Sequence, residues 1–174
     1  VDIRDYGSGR TGGTNVFRVA GFPAGFITAV LDIGKGALIV LIVRQLFPQT
    51  SGWAEALAGI GVVLGHIASC FLGFRGGGGG APASRPRPGL WGLGPTATGT
   101  ALVLWTLGGV PGLVVGVFVL FVVGYASLAT ILSGLCIALT FTLSALTSNA
   151  VPIAYGVFGW SVVVLQVLAL RPNI

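Results

Sequence analysis

The stretch DYGSGRTGGTNVFR, Asp5 to Arg18, crowds glycines, hydroxyls, an amide and two arginines into one short segment. Gly7, Gly9 and Gly12 spell G-x-G-x-x-G, and Asp32 lies twenty residues beyond Gly12, the outline of a dinucleotide-binding turn with its ribose-binding acid. Gly7 to Thr14 also nearly spells a P-loop, with Gly13 where the phosphate-gripping lysine would stand. The third chemistry needs no nucleotide: successive glycines let backbone N–H groups turn into one concavity that holds an anion. Ser8, Thr14 and Asn15 add side-chain donors there, and Arg10 and Arg18 add positive charge. The bland alternative is a loop whose arginines snorkel to the membrane surface.

Composition decides among these. Only 7% of the residues are charged and 54% are hydrophobic, with a mean hydropathy of +0.97. A soluble domain carries about 25% charged residues, so this chain is an all-α, polytopic integral membrane helix bundle. A dinucleotide fold needs a buried strand before its glycines and a soluble helix after them. Here VDIRDY is short and charged, and the residues after Arg18 enter a long apolar run that contains Asp32. The nucleotide reading therefore falls. Cys70 and Cys136 lie far apart inside apolar runs, no C-x-x-C occurs, and His66 is the single histidine, so zinc, other metals and disulfides are not expected.

A hydrocarbon core of roughly 30 Å needs about 20 apolar residues per helix. Suitable runs cover about 20–43, 53–73, 125–146 and 150–170. Pro88 to Gly124 forms a further apolar stretch, interrupted by GGVPG at Gly108 to Gly112, that makes one long span or two short ones. Arginine placement arbitrates. With two short spans, Arg4, Arg10, Arg18, Arg75, Arg85, Arg87 and Arg171 share one side, and Arg44 alone falls in the opposite loop. The positive-inside rule favours that arrangement, with the seven on the cytoplasmic side, and about six transmembrane helices result. The chain begins at Val1, contains no methionine and stops just past an apolar run. It reads as an internal fragment: a single membrane domain over 1–174, with a glycine-rich cytoplasmic loop over 1–19 and a second cytoplasmic loop over 74–90.

Asp32 and Lys35 are three residues apart, so they share one helix face deep in an apolar run. A charge at mid-membrane costs about 2.5–3.5 kcal/mol on insertion scales, so the two are expected to pair and to face protein or water. Either they lock helices together, or they form a polar pocket open to the cytoplasmic side. His66 lies near the end of the second run, before another glycine-rich, arginine-bearing loop, Phe74 to Gly80. Two anion-suited loops on one membrane face point to a substrate with a phosphate group.

On these residues the chain resembles the bacterial acylphosphate-dependent glycerol-3-phosphate acyltransferases. GSGRTGGTNVFR and DIGKG keep the order and spacing of that family's first motif; Gly65, His66, Phe71, Phe74, Arg75, Gly76 and Gly77 match its second. GYASLATI at Gly124 and RPNI at Arg171 resemble its later segments. The resemblance implies seven inner-membrane helices, the first lying before Val1, and an active site on the cytoplasmic side. It implies transfer of a fatty acyl group from acyl phosphate to the 1-hydroxyl of glycerol 3-phosphate, giving lysophosphatidic acid and phosphate, by a monomer without a cofactor or nucleic-acid partner.

Carried over by position, Ser8, Gly9, Thr14, Asn15 and Arg18 would bind phosphate. Lys35, His66, Arg75, Gly76, Gly77 and Asn173 would complete the pocket, with Asp32 as charge partner. No G-x-S-x-G, Cys–His pair or H-x4-D motif is present, which suits a donor that is already an activated mixed anhydride and needs no covalent nucleophile. Departures are Arg10 for asparagine, Gly13 for alanine, Leu170 for histidine and Gly78 for the second motif's lysine. GAPASRPRPGLWG, which follows, is either a reading-frame disturbance or a divergent loop. The competing readings are a small transporter with Asp32 and Lys35 lining a conduit, and an inactive fragment of the acyltransferase.

Overall fold

The computed structural model describes residues 5–6, 13–49, 52–68, 94–147 and 151–170. Among these, every regular element beyond a single turn at Asp5 is α-helical: α1 (Gly13–Ala20), α2 (Phe22–Leu46), α3 (Trp53–Ile67), α4 (Gly94–Leu104), α5 (Thr106–Val122), α6 (Ala126–Thr147) and α7 (Ile153–Leu170). Helices α2, α6 and α7 are long and apolar enough to cross a membrane, whereas α3 and α5 are shorter apolar helices of 15 and 17 residues. The central element is α4, only 11 residues long, which packs against α2, α3, α5, α6 and α7. Around it Val63, Ala97, Ala101, Phe141, Phe158 and Val162 form the core, while side chains such as Leu31, Phe118, Leu146 and Leu168 face outward.

The stretch from Pro88 to Gly124 does contain two helices, but GGVPG is not the interruption. The chain turns at Trp105, whose backbone is extended (φ −159°, ψ 114°). Gly108 to Gly112 lie inside α5, and there they are a packing surface. A Cβ on Gly108 would strike the Phe141 ring, one on Gly112 the Ile137 side chain, and one on Gly116 the Ser133 Cβ at 3.2 Å. Glycines four apart on α5 thus meet α6 residues four apart. In lipid, where apolar side chains gain little by leaving the solvent, helices associate through such small-residue seams. The Ser133 hydroxyl adds a 2.7 Å bond to the Gly112 carbonyl.

The opposite side of α6 repeats the device against α7. Gly134 receives Gln166, Ala138 lies against Gly159, and Thr142 lies 3.5 Å from where a Gly156 Cβ would be. Backbone meets backbone between α2 and α4: a Cβ on Gly36 would strike the Thr96 carbonyl, and one on Gly99 the Ile33 carbonyl.

Arg44 also sits differently from expectation. It is in the last turn of α2 rather than in a loop, and it is not a simple topological marker. Its Nε and Nη2 donate to Glu55 Oε1 and Oε2 at 3.2 and 2.9 Å. Nη2 also donates to the Val103 carbonyl at 2.7 Å. The last carbonyls of a helix have no intrahelical partner, so Arg44 caps α4 where the chain breaks at Trp105. Tyr155 of α7 donates its hydroxyl to Glu55 Oε2 at 2.6 Å. One charged cluster therefore ties α2, α3, α4 and α7 at the membrane end away from α1.

Two stability outcomes follow. Gly99→Ala forces a Cβ into a backbone carbonyl that cannot rotate away, so thermal unfolding in detergent should show a loss of about 1–3 kcal/mol. Gly61→Ala is the control, since nothing lies within 4 Å of its added Cβ. Equal stability of the two variants would refute the tight α2–α4 contact. Arg44→Ala leaves the Glu55 carboxylate without its cation, held only by the Tyr155 hydroxyl, and takes the side-chain donor from the Val103 and Leu104 carbonyls. Breaking a fully buried pair costs about 3–5 kcal/mol, but the Arg44 side chain is 41% exposed, so solvent screening reduces the expected loss to about 1–2 kcal/mol. Glu55→Gln, which keeps an acceptor for Tyr155, should cost less in the same measurement.

Candidate active site

The α1–α2 corner positions the first part of the site. α1 ends at Ala20, and Gly21 turns the chain with φ 85°, a left-handed value that glycine adopts without strain. Phe17 then packs on Gly25, where a Cβ would come within 2.6 Å of it, and meets Phe22 edge-on at 6.1 Å between ring centroids. Residues 13–19 of the segment expected to be loop over 1–19 are thus part of a helix seated on α2. Asn15 is buried, and its Nδ2 donates to the Tyr6 carbonyl at 3.0 Å. One amide donor of Asn15 is therefore committed to holding Tyr6 against α1, which brings together the two ends of the glycine segment. The backbones of Thr14 and Arg18 lie in α1. Their side chains, and all of Ser8 and Gly9, lie outside the described residues.

Ten residues into α2, Asp32 and Lys35 do pair. Lys35 Nζ donates to Asp32 Oδ1 at 2.5 Å, and the same ammonium reaches His66 Nδ1 of α3 at 2.7 Å. His66 Nδ1 lies 3.8 Å from the carboxylate oxygen. Asp32 and His66 have side chains only 12% and 9% exposed, while that of Lys35 is 40% exposed. Two buried groups thus fix a third that reaches outward. An ammonium carries three protons and no acceptor, so His66 Nδ1 must accept, and the ring proton is then on Nε2. Lys35 spends one proton on the carboxylate and one on the imidazole. The remaining ammonium proton and His66 Nε2–H are left as donors among the described residues.

The third wall comes from α4. Because Gly36 has no Cβ, the Thr96 carbonyl seats directly against the residue that follows Lys35. This places the first turn of α4 beside the cluster, and helix N-termini favour anions. Arg75, Gly76, Gly77, Gly78 and Asn173 lie outside the described residues, as does the whole second loop. The chemistry that this arrangement supports is charge compensation and orientation. Among the described residues no three histidine, cysteine or acidic side chains are grouped to hold a metal.

Sequence reading found Asp32, Lys35 and His66 but missed two buried polar side chains. Thr96 and Gln166 are 0% and 1% exposed, and their hydroxyl and carboxamide have no hydrogen-bond partner among the described residues. Gln166 was open to the argument applied to Asp32, since it is a polar side chain in the middle of an apolar run.

The family model for glycerol-3-phosphate acyltransferase matches residues 1–174. The chain is 36% identical over 146 residues to the glycerol-3-phosphate acyltransferase of Chlorobium phaeobacteroides, covering 78% of this chain and 55% of that protein. It is 40% identical over 136 residues to glycerol-3-phosphate acyltransferase 2 of Bacillus anthracis, covering 78% of this chain and 63% of that one. The chain thus spans little more than half the length of these curated relatives. The fold superimposes on the crystal structure of PlsY, an integral membrane glycerol 3-phosphate acyltransferase, in its glycerol 3-phosphate form. There the TM-score is 0.80 at 26% identity, over 99% of this chain and 76% of that one. For the lysophosphatidic acid form the TM-score is 0.75 at 25% identity, over 95% of this chain and 74% of that one. With its full length matched by the family model and its helices laid out as in those structures, the chain belongs to the glycerol-3-phosphate acyltransferase family.

Proposed function

We propose that this protein transfers a fatty acyl group from acyl phosphate to the 1-hydroxyl of glycerol 3-phosphate, as a multi-pass monomer of a bacterial plasma membrane. The observation that carries this reading is the Lys35 ammonium fixed between Asp32 and His66. It supplies oriented positive charge beside the short α4 helix, as two phosphate-bearing substrates require. Family membership favours acyl transfer over transport through a conduit. The α1–α2 corner, the end of α3 and the end of α7 share one end of the bundle, and the arginine distribution favours the cytoplasm for that end.

The step is nucleophilic substitution at the acyl carbonyl. The 1-hydroxyl oxygen attacks, a C–O ester bond forms, the anhydride C–O bond breaks, and phosphate leaves with the electron pair. The hydroxyl proton passes to a phosphate oxygen, so no protein base is required. Lys35 and His66 Nε2–H compensate negative charge on the phosphates and on the carbonyl oxygen as it develops. Ser8, Gly9, Thr14, Asn15, Arg18, Arg75, Gly76, Gly77 and Asn173 complete the phosphate contacts in this reading, and Asp32 holds Lys35 in place. Oriented proximity is worth up to about 7–11 kcal/mol, which makes positioning the main contribution.

The direct test is formation of lysophosphatidic acid by the full-length protein from palmitoyl phosphate and glycerol 3-phosphate in detergent. Release of phosphate without acylated glycerol phosphate, or no turnover, overturns the reading. The residue roles have their own checks. Arg18→Ala should remove a charge-assisted bond of about 1.5–3 kcal/mol and lower kcat/KM for glycerol 3-phosphate by roughly ten- to a hundredfold. Unchanged kinetics would leave Arg18 as a surface arginine. Asp32→Ala leaves Lys35 charged without its carboxylate and should destabilise the fold. Asp32→Ala with Lys35→Ala should unfold at a higher temperature than that single variant and yet make no product. Activity in the double variant would remove the pair from catalysis.

A further inference from the structure

Gln166 is at the depth of the Asp32–Lys35–His66 cluster, and the register of α3 against α7 fixes this. Glu55 bonds Tyr155, Gly59 lies against the Phe158 ring, and Leu64 lines one groove with Val164 and Leu165. The two helices run parallel with about the same advance per turn, so His66 and Gln166 occupy one layer. Val162, a turn earlier on α7, belongs to the core with Val63 and Ala97. Gln166 therefore lies on the inward side of its helix, at the end of the core nearest the site. Gly134 of α6 makes room for it: a Cβ there would strike the carboxamide oxygen.

Thr96 reaches the same layer from α4. Thr100, one turn away on the same face, fills the space between Gly36 of α2 and Gly59 of α3, and the Thr96 carbonyl touches Gly36. Thr96 thus shares the face of α4 whose Thr100 meets α2 and α3, and its backbone lies at the level of Gly36, the residue after Lys35. Both side chains are sealed, and neither has a partner among the described residues. A sealed polar group without a partner is costlier than an apolar one of the same shape, so its presence calls for a ligand that completes it.

The chemistry of the two groups specifies the ligand. A carboxamide offers both a donor and an acceptor, and so does a threonine hydroxyl. A phosphate dianion only accepts and would leave the carboxamide oxygen unsatisfied, whereas an alcohol donates and accepts at once. We infer that the Gln166 carboxamide, with the Thr96 hydroxyl in the same layer, binds the secondary hydroxyl of a polyol phosphate acceptor whose phosphate is held by Lys35. This rests on the acyl-transfer reading for the identity of the acceptor. Gln166 is then the residue that discriminates a glycerol backbone from a simple alkanol phosphate. A site built to hydrogen-bond a hydroxyl rejects the analogue that lacks it, because its own buried groups are then unpaired.

The test compares the full-length protein with Gln166→Met and Gln166→Leu, using glycerol 3-phosphate and 3-hydroxypropyl phosphate, which lacks the secondary hydroxyl. Calorimetric binding of each acceptor and acyl transfer from palmitoyl phosphate are both measured, with thermal unfolding in the absence of substrate. The parent protein should prefer glycerol 3-phosphate. Gln166→Met should weaken glycerol 3-phosphate by roughly ten- to a hundredfold, leave 3-hydroxypropyl phosphate unchanged, and keep or raise the unfolding temperature. Equal losses for both acceptors, a retained preference, or a lowered unfolding temperature in both variants overturns the inference and makes Gln166 a packing residue. Hydroxyl-dependent binding lost in the variants, from a protein that forms no lysophosphatidic acid, sinks the acyl-transfer reading and leaves this one standing. No binding of either acceptor sinks both.

Discussion

A charged side chain in hydrocarbon is tolerated only when other polar groups of the protein surround it, and this bundle is organised at two levels by that requirement. Lys35 is the sharper case. Its ammonium is held by one carboxylate on its own helix and one imidazole on the next, so neutralising the charge also fixes α2 against α3. The buried partners hold the chain, and the partly exposed ammonium remains able to meet an anion. At the other end Arg44, Glu55 and Tyr155 solve the same problem among themselves. No described contact leaves that cluster with a free acidic or basic partner, which marks it as structural where the first is open.

The two clusters can form only because the helices approach one another very closely. Long side chains between α2 and α4 would hold Thr96 away from Gly36 and keep α4 from closing the site. Glycine at the crossing permits backbone contact, and in lipid that contact is itself a principal source of cohesion. The same logic explains α6, whose Ser133, Ile137 and Phe141 take the glycines of α5 while Gly134, Ala138 and Thr142 take α7. A helix packed on two sides by small-residue seams has little freedom to rotate. The Asp32–Lys35–His66 cluster is in this way mounted on rigid elements.

The short α4 is the price of bringing a helix N-terminus to the level of the charges. A helix crossing the full hydrocarbon core would put its first turn at the membrane surface. Ending α4 at Leu104 creates unpartnered carbonyls inside the protein, and Arg44 caps one of them at 2.7 Å. The outer cluster and the inner site are thus linked through the length of a single helix. Loss of the cap would loosen the element that walls the site, some way from any reacting atom.

The amino-acid sequence alone determined the class of the protein, because 7% charged residues cannot furnish a water-facing surface. It determined the helical pairing of Asp32 with Lys35, since residues three apart on one helix share a face whatever else the chain does. It also carried the family resemblance, through motifs that are contiguous along the chain. Tertiary structure decided the rest. That His66 completes the charged pair depends on which face of α3 meets α2, and periodicity within one helix does not specify its neighbour. GGVPG looks like a break when read along the chain, and becomes a packing seam only opposite Phe141 and Ile137. Arg44 reads as a loop arginine until Glu55, Val103 and Tyr155 converge on it from three other helices. Local pattern fixes what a helix offers on each face, but the partner that accepts it is chosen by close packing among segments far apart in the chain.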